Sequence, residues 1–149
     1  MLLKTHYVII IFFILLFLPS VEHKLVFIIT ALIATQIPDI DSRYSKLGHK
    51  KLARILQIFT KHRGMIHSFT FLLGLTFILI LFFPILGFGF FLGYGIHLLA
   101  DSFTIEGIRQ FYPFKGRSCG KIETGGKVEI LVFLGFIVLD FVIVFHWAF

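Results

Sequence analysis

Sulfur, charge and proline are all scarce in this chain, and each scarcity narrows what it can be. A single cysteine, Cys119, forbids an internal disulfide and leaves no Cys-x-x-Cys pair for a thiolate metal site. A lone loop thiol is more often inert than catalytic, so any metal must be held by histidine and carboxylate. Charged residues make up 15% of the sequence, well below the roughly 25% of soluble domains. A domain of this size cannot hide the apolar surface that remains, which excludes a water-soluble globule. Of only four prolines, three (Pro19, Pro38 and Pro84) fall where apolar runs end.

What the chain has in abundance is apolar side chains. Its 149 residues are 58% hydrophobic, with 21 phenylalanines crowded into the apolar runs, and the mean hydropathy is +0.96. Lipid is the solvent such a composition calls for. The length fits a single domain over 1–149, with no internal repeat and no low-complexity linker. The expected fold is all-α: a polytopic membrane bundle of four to five transmembrane or membrane-embedded helices.

The runs can be taken in order. Residues 1–18 are apolar except around Lys4, Thr5 and His6. No small-x-small cleavage site follows, so this segment is expected to be retained as a helix rather than removed as a signal peptide. The second run, 25–37, spans only about 20 Å at helical rise, short of a hydrocarbon core of about 30 Å. The first two runs are therefore expected to form a tilted or partly inserted hairpin. The third run covers 66–83. The fourth, 85–99, carries Gly87, Gly89, Gly93 and Gly95, which permit close helix approach. The fifth, 130–149, is broken only by Asp140 and His146. Two polar loops intervene. In the first, Leu52, Ile55, Leu56, Ile58 and Phe59 recur at helical spacing among basic residues, the pattern of a short amphipathic helix on the membrane surface.

The formal charge of +6 is explained by membrane topology, and no nucleic-acid partner is expected. If the runs alternate in direction from a cytoplasmic N-terminus, Lys4 and the basic residues of both loops face the cytoplasm, and Lys24 alone faces out. The same alternation gathers His6, Asp39, Asp41, His62, His67, His97 and Asp101 at that face. Topology and ligand chemistry converge there independently.

Three pairs carry the chemistry. His97 and Asp101 are four residues apart at the end of the fourth run, a spacing that puts both on one helical face. Asp39 and Asp41 flank Ile40 just after Pro38; in extended chain both carboxylates would point the same way and clamp a cation, or one would take a proton from water. His62 and His67 lie about 140° apart around a helix, so Arg63-Gly64 is expected to form a turn, with His67 opening the third helix. Arg63 suits bidentate contact with phosphate or carboxylate. Each pair alone has an ordinary interfacial explanation; their convergence does not. Imidazole with carboxylate suits zinc, manganese or iron, in one or two ions. Glu129 opens the fifth run within reach of the same face. Asp140 lies about 16 Å deeper and is left out of the site. His23, His49 and His146 have no partner pattern.

The ordered set Pro38-Asp39-Ile40-Asp41, His62-Arg63-Gly64-x-x-His67-Ser68 and Gly93-Tyr94-x-x-His97-x-x-Ala100-Asp101-x-x-Thr104-x-x-Gly107 resembles the YdjM-like family. Thr5-His6 and Gly126-x-x-Glu129 fit the same pattern. These proteins are described as inner-membrane metal-dependent hydrolases, some of them as LexA-binding. The resemblance covers nearly the whole chain and implies a metal site built from His6, Asp39, Asp41, His62, His67, His97, Asp101 and Glu129. Two departures stand out: Ile66 replaces the usual threonine before His67, and 113–122 has no close match. The His-x-x-x-Asp element is also similar to one in zinc-dependent phospholipase C, which implies phosphoester hydrolysis by analogy.

The expectation is thus a hydrolase of the inner membrane that cleaves an ester or phosphoester of a lipid or membrane-proximal substrate with metal-activated water. Asp39, Asp41 and Arg63 are the catalytic candidates. The alternative is a non-catalytic membrane protein whose structural metal supports an anchor for a soluble partner. A transporter would need ligands near mid-membrane, where only Asp140 lies.

Overall fold

The computed structural model describes residues 1–41 and 65–149, with backbone alone for Ile40 and Asp41. The expected amphipathic surface helix, with His62 and Arg63, lies outside the described residues. Within them the fold is all-helical: α1 (Leu3–Phe17), α2 (Lys24–Ala34), α3 (Phe69–Phe82), α4 (Pro84–Ser102) and α5 (Lys127–Ala148). Short 3-10 turns follow α1 at Leu18–Ser20 and α2 at Pro38–Asp41.

Among the described residues, three segments are long and apolar enough to cross a membrane: Leu3–Ser20, Pro84–Ser102 and Lys127–Ala148. The other two helices are shorter. With 11 residues in α2 and 14 in α3, they rise about 16 and 21 Å. The short second helix matches the sequence pattern. The third begins later than its apolar run because Ile66 and His67 are spent in a turn. Ser68 is its N-cap: the hydroxyl accepts from Phe71 N–H at 3.2 Å and donates to the Met65 carbonyl at 2.6 Å. His67 therefore lies just before α3 rather than opening it. At the other end Phe83 leaves the helical region, with φ -142 and ψ 66, as a residue before proline is pushed to do, and Pro84 starts α4 at once.

The helix α4 is the centre of the bundle, in contact with α1, α2 and α3. It runs parallel to α2, and the seam between them is made by glycine. A Cβ on Gly89 would come 2.9 Å from the Phe27 carbonyl, and one on Gly93 would fall on the Ala31 carbonyl. The expected close approach to α2 is thus made by Gly89 and Gly93, spaced small-x-x-x-small, while a Cβ on Gly87 would come 2.5 Å from the Ile80 side chain of α3. Thr35 closes the seam, donating to the Ala31 carbonyl at 2.8 Å and to the Gly93 carbonyl at 3.2 Å. Apolar packing lies on both flanks, around Leu72, Tyr94 and Leu98 on one and around Ile10, Phe27 and Ala31 on the other.

Packed against α1, α5 runs parallel to it: Thr5 meets Glu129, and Phe12 meets Phe136 edge-on. Its remaining surface is almost wholly exposed, the pattern of a helix whose solvent is lipid. Asp140, one turn beyond Phe136, has a buried Oδ1 with no hydrogen-bond partner among the described residues. The segment after α4 folds back on itself through single backbone bridges, Thr104 with Ile122 and Ile108 with Ser118. Gly107 makes this possible, with φ +55 and the Ser118 carbonyl where a Cβ would be. The starts of α1, α3 and α5 and the ends of α2 and α4 consequently share one end of the bundle.

Candidate metal centre

Four elements deliver side chains to that end. The first turn of α1 carries His6, the 3-10 turn after α2 carries Asp39, the turn before α3 carries His67, and the last two turns of α4 carry His97 and Asp101. His97 is fully buried, and His6, His67 and Asp101 are almost so. The Asp39 side chain retains 25% exposure and forms the mouth.

Two overlapping triads emerge. His6, His97 and Asp101 form one, and Asp39, His67 and His97 the other; within each, the ligand atoms lie within 4.8 Å of one another. His97 belongs to both. Asp101 Oδ1 is 3.3 Å from His6 Nε2, and its Oδ2 is 3.8 Å from His97 Nε2 and 4.0 Å from His67 Nε2. Asp39 Oδ1 is 3.8 Å from His97 Nε2. Most of these separations are too long for hydrogen bonds. They resemble the edges of a coordination polyhedron, about 3.3 Å for tetrahedral zinc with ligands at about 2.0–2.1 Å.

The chemistry of the donors tests the fit further. Neither ring nitrogen of His97, nor Nδ1 of His6, has a hydrogen-bond partner among the described residues, although all three are buried. Burying such atoms unsatisfied is costly. The His6 and His97 rings stack at 3.9 Å. Burial pushes the Asp39 carboxyl above its ordinary range; His6 and His67 oppose the shift, while Asp101 adds to it. Two carboxylates set among three imidazoles make a donor set that attracts a cation. The α-amino group of Met1, 2.6 Å from Asp101 Oδ1, shows that the position favours positive charge.

The supports of this cluster are as definite as its members. Glu129 Oε1 accepts from Leu2 N–H at 2.7 Å and Thr5 Oγ1 at 2.6 Å, and its Oε2 accepts from Gly125 N–H at 2.7 Å. Expected as a ligand, Glu129 thus spends its carboxylate tying the first turn of α1 to that of α5, and so fixes the backbone that carries His6. Tyr94 Oη donates to the Ile66 carbonyl at 2.6 Å, holding the turn that carries His67. Thr104 Oγ1 donates to the Asp101 carbonyl at 2.7 Å and accepts from Gly107 N–H at 3.2 Å.

A model of the YdjM inner membrane protein family matches residues 1–148. The chain belongs to the YdjM family. The match spans the whole bundle. Searches among curated proteins and among solved structures return no match.

Of the eight expected ligands of this YdjM protein, the structure brings five together: His6, Asp39, His67, His97 and Asp101. Glu129 adjoins them through Thr5. Asp41 is described by its backbone alone, and His62 lies outside the described residues, as does the catalytic candidate Arg63. The sequence reading did not single out Thr35 or the support given by Tyr94. The available signals were a threonine at the end of an apolar run and a tyrosine one turn before His97.

Proposed function

We propose that this protein is a metal-dependent hydrolase of membrane phosphoesters, with its centre formed by His6, Asp39, His67, His97 and Asp101. Three imidazoles and two carboxylates converging at one end of a lipid-facing bundle carry this reading. Zinc matches the donor set best, and manganese or iron fit it as well. A cation bound there supplies a Lewis acid and acidifies water at neutral pH.

The residues of the chain supply the rest. Sealed from solvent, His6, His67, His97 and Asp101 fix the donor positions and lower the local dielectric, which strengthens every charge interaction inside. Asp39, at the partly exposed mouth, or Asp41 accepts the proton released from water. Arg63 and the basic loops hold the anionic substrate. By the distribution of Lys and Arg, the centre faces the cytoplasm.

The decisive measurement is metal content together with phosphodiesterase and lipid-hydrolase activity of purified protein, alongside His67→Ala and Asp101→Ala. The proposal expects bound metal and an activity that both substitutions abolish. Metal-free protein at full activity, or turnover indifferent to both changes, overturns it. One observation favours a second reading: four of the five donors are sealed, as in structural metal sites with closed shells. In that case chelation unfolds the protein and there is no turnover to lose.

A further inference from the structure

The fold leaves an apolar groove that begins at the site end of the bundle, at Ser68, the residue after His67. About 350 Å³ in volume, it runs along α3 and is lined by Met65, Ser68, Phe71, Gly74, Ile78 and Tyr112, among others. Ser68 is the neighbour of His67 in the chain, so the upper end of the groove starts beside a centre residue. From Ser68 to Ile78 the helix rises about 15 Å, half of a hydrocarbon core of about 30 Å. That length equals the depth of one leaflet.

Its walls are built. Phe69 N–H donates to the Gln110 carbonyl at 2.8 Å, which fastens the 110–114 segment against the first turn of α3 and sets Tyr112 over the groove. Among the described residues nothing outside its own turn lies within 4 Å of where a Gly74 Cβ would be, so the missing side chain widens the floor. Beside the mouth, Phe111 and Phe114 are 57% and 74% exposed. Lys115 and Arg117 follow them, both exposed, with Arg117 also donating to the Glu106 carbonyl. Aromatic rings followed by cations suit the headgroup level of a membrane, where rings rest among acyl chains and cations meet phosphate.

We infer that this groove seats an acyl chain of a lipid with an anionic phosphate headgroup, with that headgroup at the site end of the bundle. The inference rests on the hydrolase reading for what happens to that headgroup, but not for the seating itself. A second apolar groove between α3 and α4, about 740 Å³, ends at Pro84, away from the centre. It is the internal control, since bulk lipid wets both.

The test uses the full chain in phosphatidylcholine vesicles containing one of three photoactivatable lipids with the same diazirine acyl chain: phosphatidic acid, phosphatidylcholine or diacylglycerol. Labelled peptides are mapped by mass spectrometry. Phosphatidic acid is expected to label Phe71, Leu75 and Ile78 of this groove well above Ile80, Phe88 and Phe91 of the control, and diacylglycerol is not. Gly74→Leu is expected to cut that labelling about tenfold, the equivalent of two methylenes leaving the groove, whereas Gly74→Ala retains it. Lys115→Gln and Arg117→Gln are each expected to lower labelling by the anionic probe about fivefold. Equal labelling of both grooves, equal labelling by all three probes, or a groove cross-linked to residues 42–64 of the same chain overturns the inference. Labelling needs no turnover. A labelled groove without hydrolysis removes only the hydrolase reading, and hydrolysis without groove enrichment removes only this one.

Discussion

Among the residues at the site end of the bundle, His97 stands apart because it serves two triads and its buried ring nitrogens have no hydrogen-bond partner among the described residues. His97→Ala is expected to abolish metal uptake, with an affinity loss greater than the roughly 10–100-fold typical of supporting residues. Asp39→Ala, at the partly open mouth, should cost less, and titration with zinc followed by elemental analysis ranks the two. Tyr94 acts at one remove. Tyr94→Phe leaves the buried Ile66 carbonyl unpaired, at a cost of about 1–3 kcal/mol, and should weaken metal binding through the loosened His67 turn. Glu129 separates two roles. As the tie between α1 and α5, Glu129→Ala lowers metal affinity without changing the number of ions held at saturation, whereas a ligand would lower both.

Among the elements, the α2–α4 seam decides where Asp39 stands relative to His97. Gly93→Val puts side-chain atoms into the Ala31 carbonyl, so α2 must shift and carry Asp39 with it. Overpacking of this kind costs about 1–3 kcal/mol. Metal binding should fall with the melting temperature in detergent, although no donor is altered. Gly135→Ala is the matched control: its Cβ would meet nothing within 4 Å, and stability should hold or rise by about 0.5–1 kcal/mol. The same seam marks what the sequence could and could not convey. Apolar runs and prolines located the helices, because lipid imposes hydropathy over whole turns. The four-residue spacing of His97 and Asp101 showed that they share a face, because helical geometry is local. Which glycines touch which carbonyls was not legible, nor was the pairing of Ile108 with Ser118. Those contacts join segments far apart in sequence and leave no period behind. Ser68 as the cap that delays α3 was written in a single hydroxyl, and the apolar run around it concealed the signal.

For the molecule as a whole, the distribution of basic residues predicts which way the bundle faces. Cys119, exposed in the segment after α4 at the site end, is a native reporter for it. A membrane-impermeant maleimide should leave Cys119 unlabelled in intact spheroplasts and label it in inverted inner-membrane vesicles; the reverse pattern would turn the centre outward. Chelation should lower the melting temperature of the purified protein, because removing the cation leaves buried carboxylates and imidazoles without the charge that balances them.

Because the donors are spread along the chain from α1 to α4 yet meet at one end of the bundle, assembly has an order imposed by synthesis. His6 enters the bilayer with the first helix, and Asp39 follows the second. Neither triad can close until the fourth helix has been threaded in, for His97 is common to both. A nascent chain halted in the third helix has polar rings at the lipid edge and no ion to hold them, a half-made state for quality-control proteases to recognise.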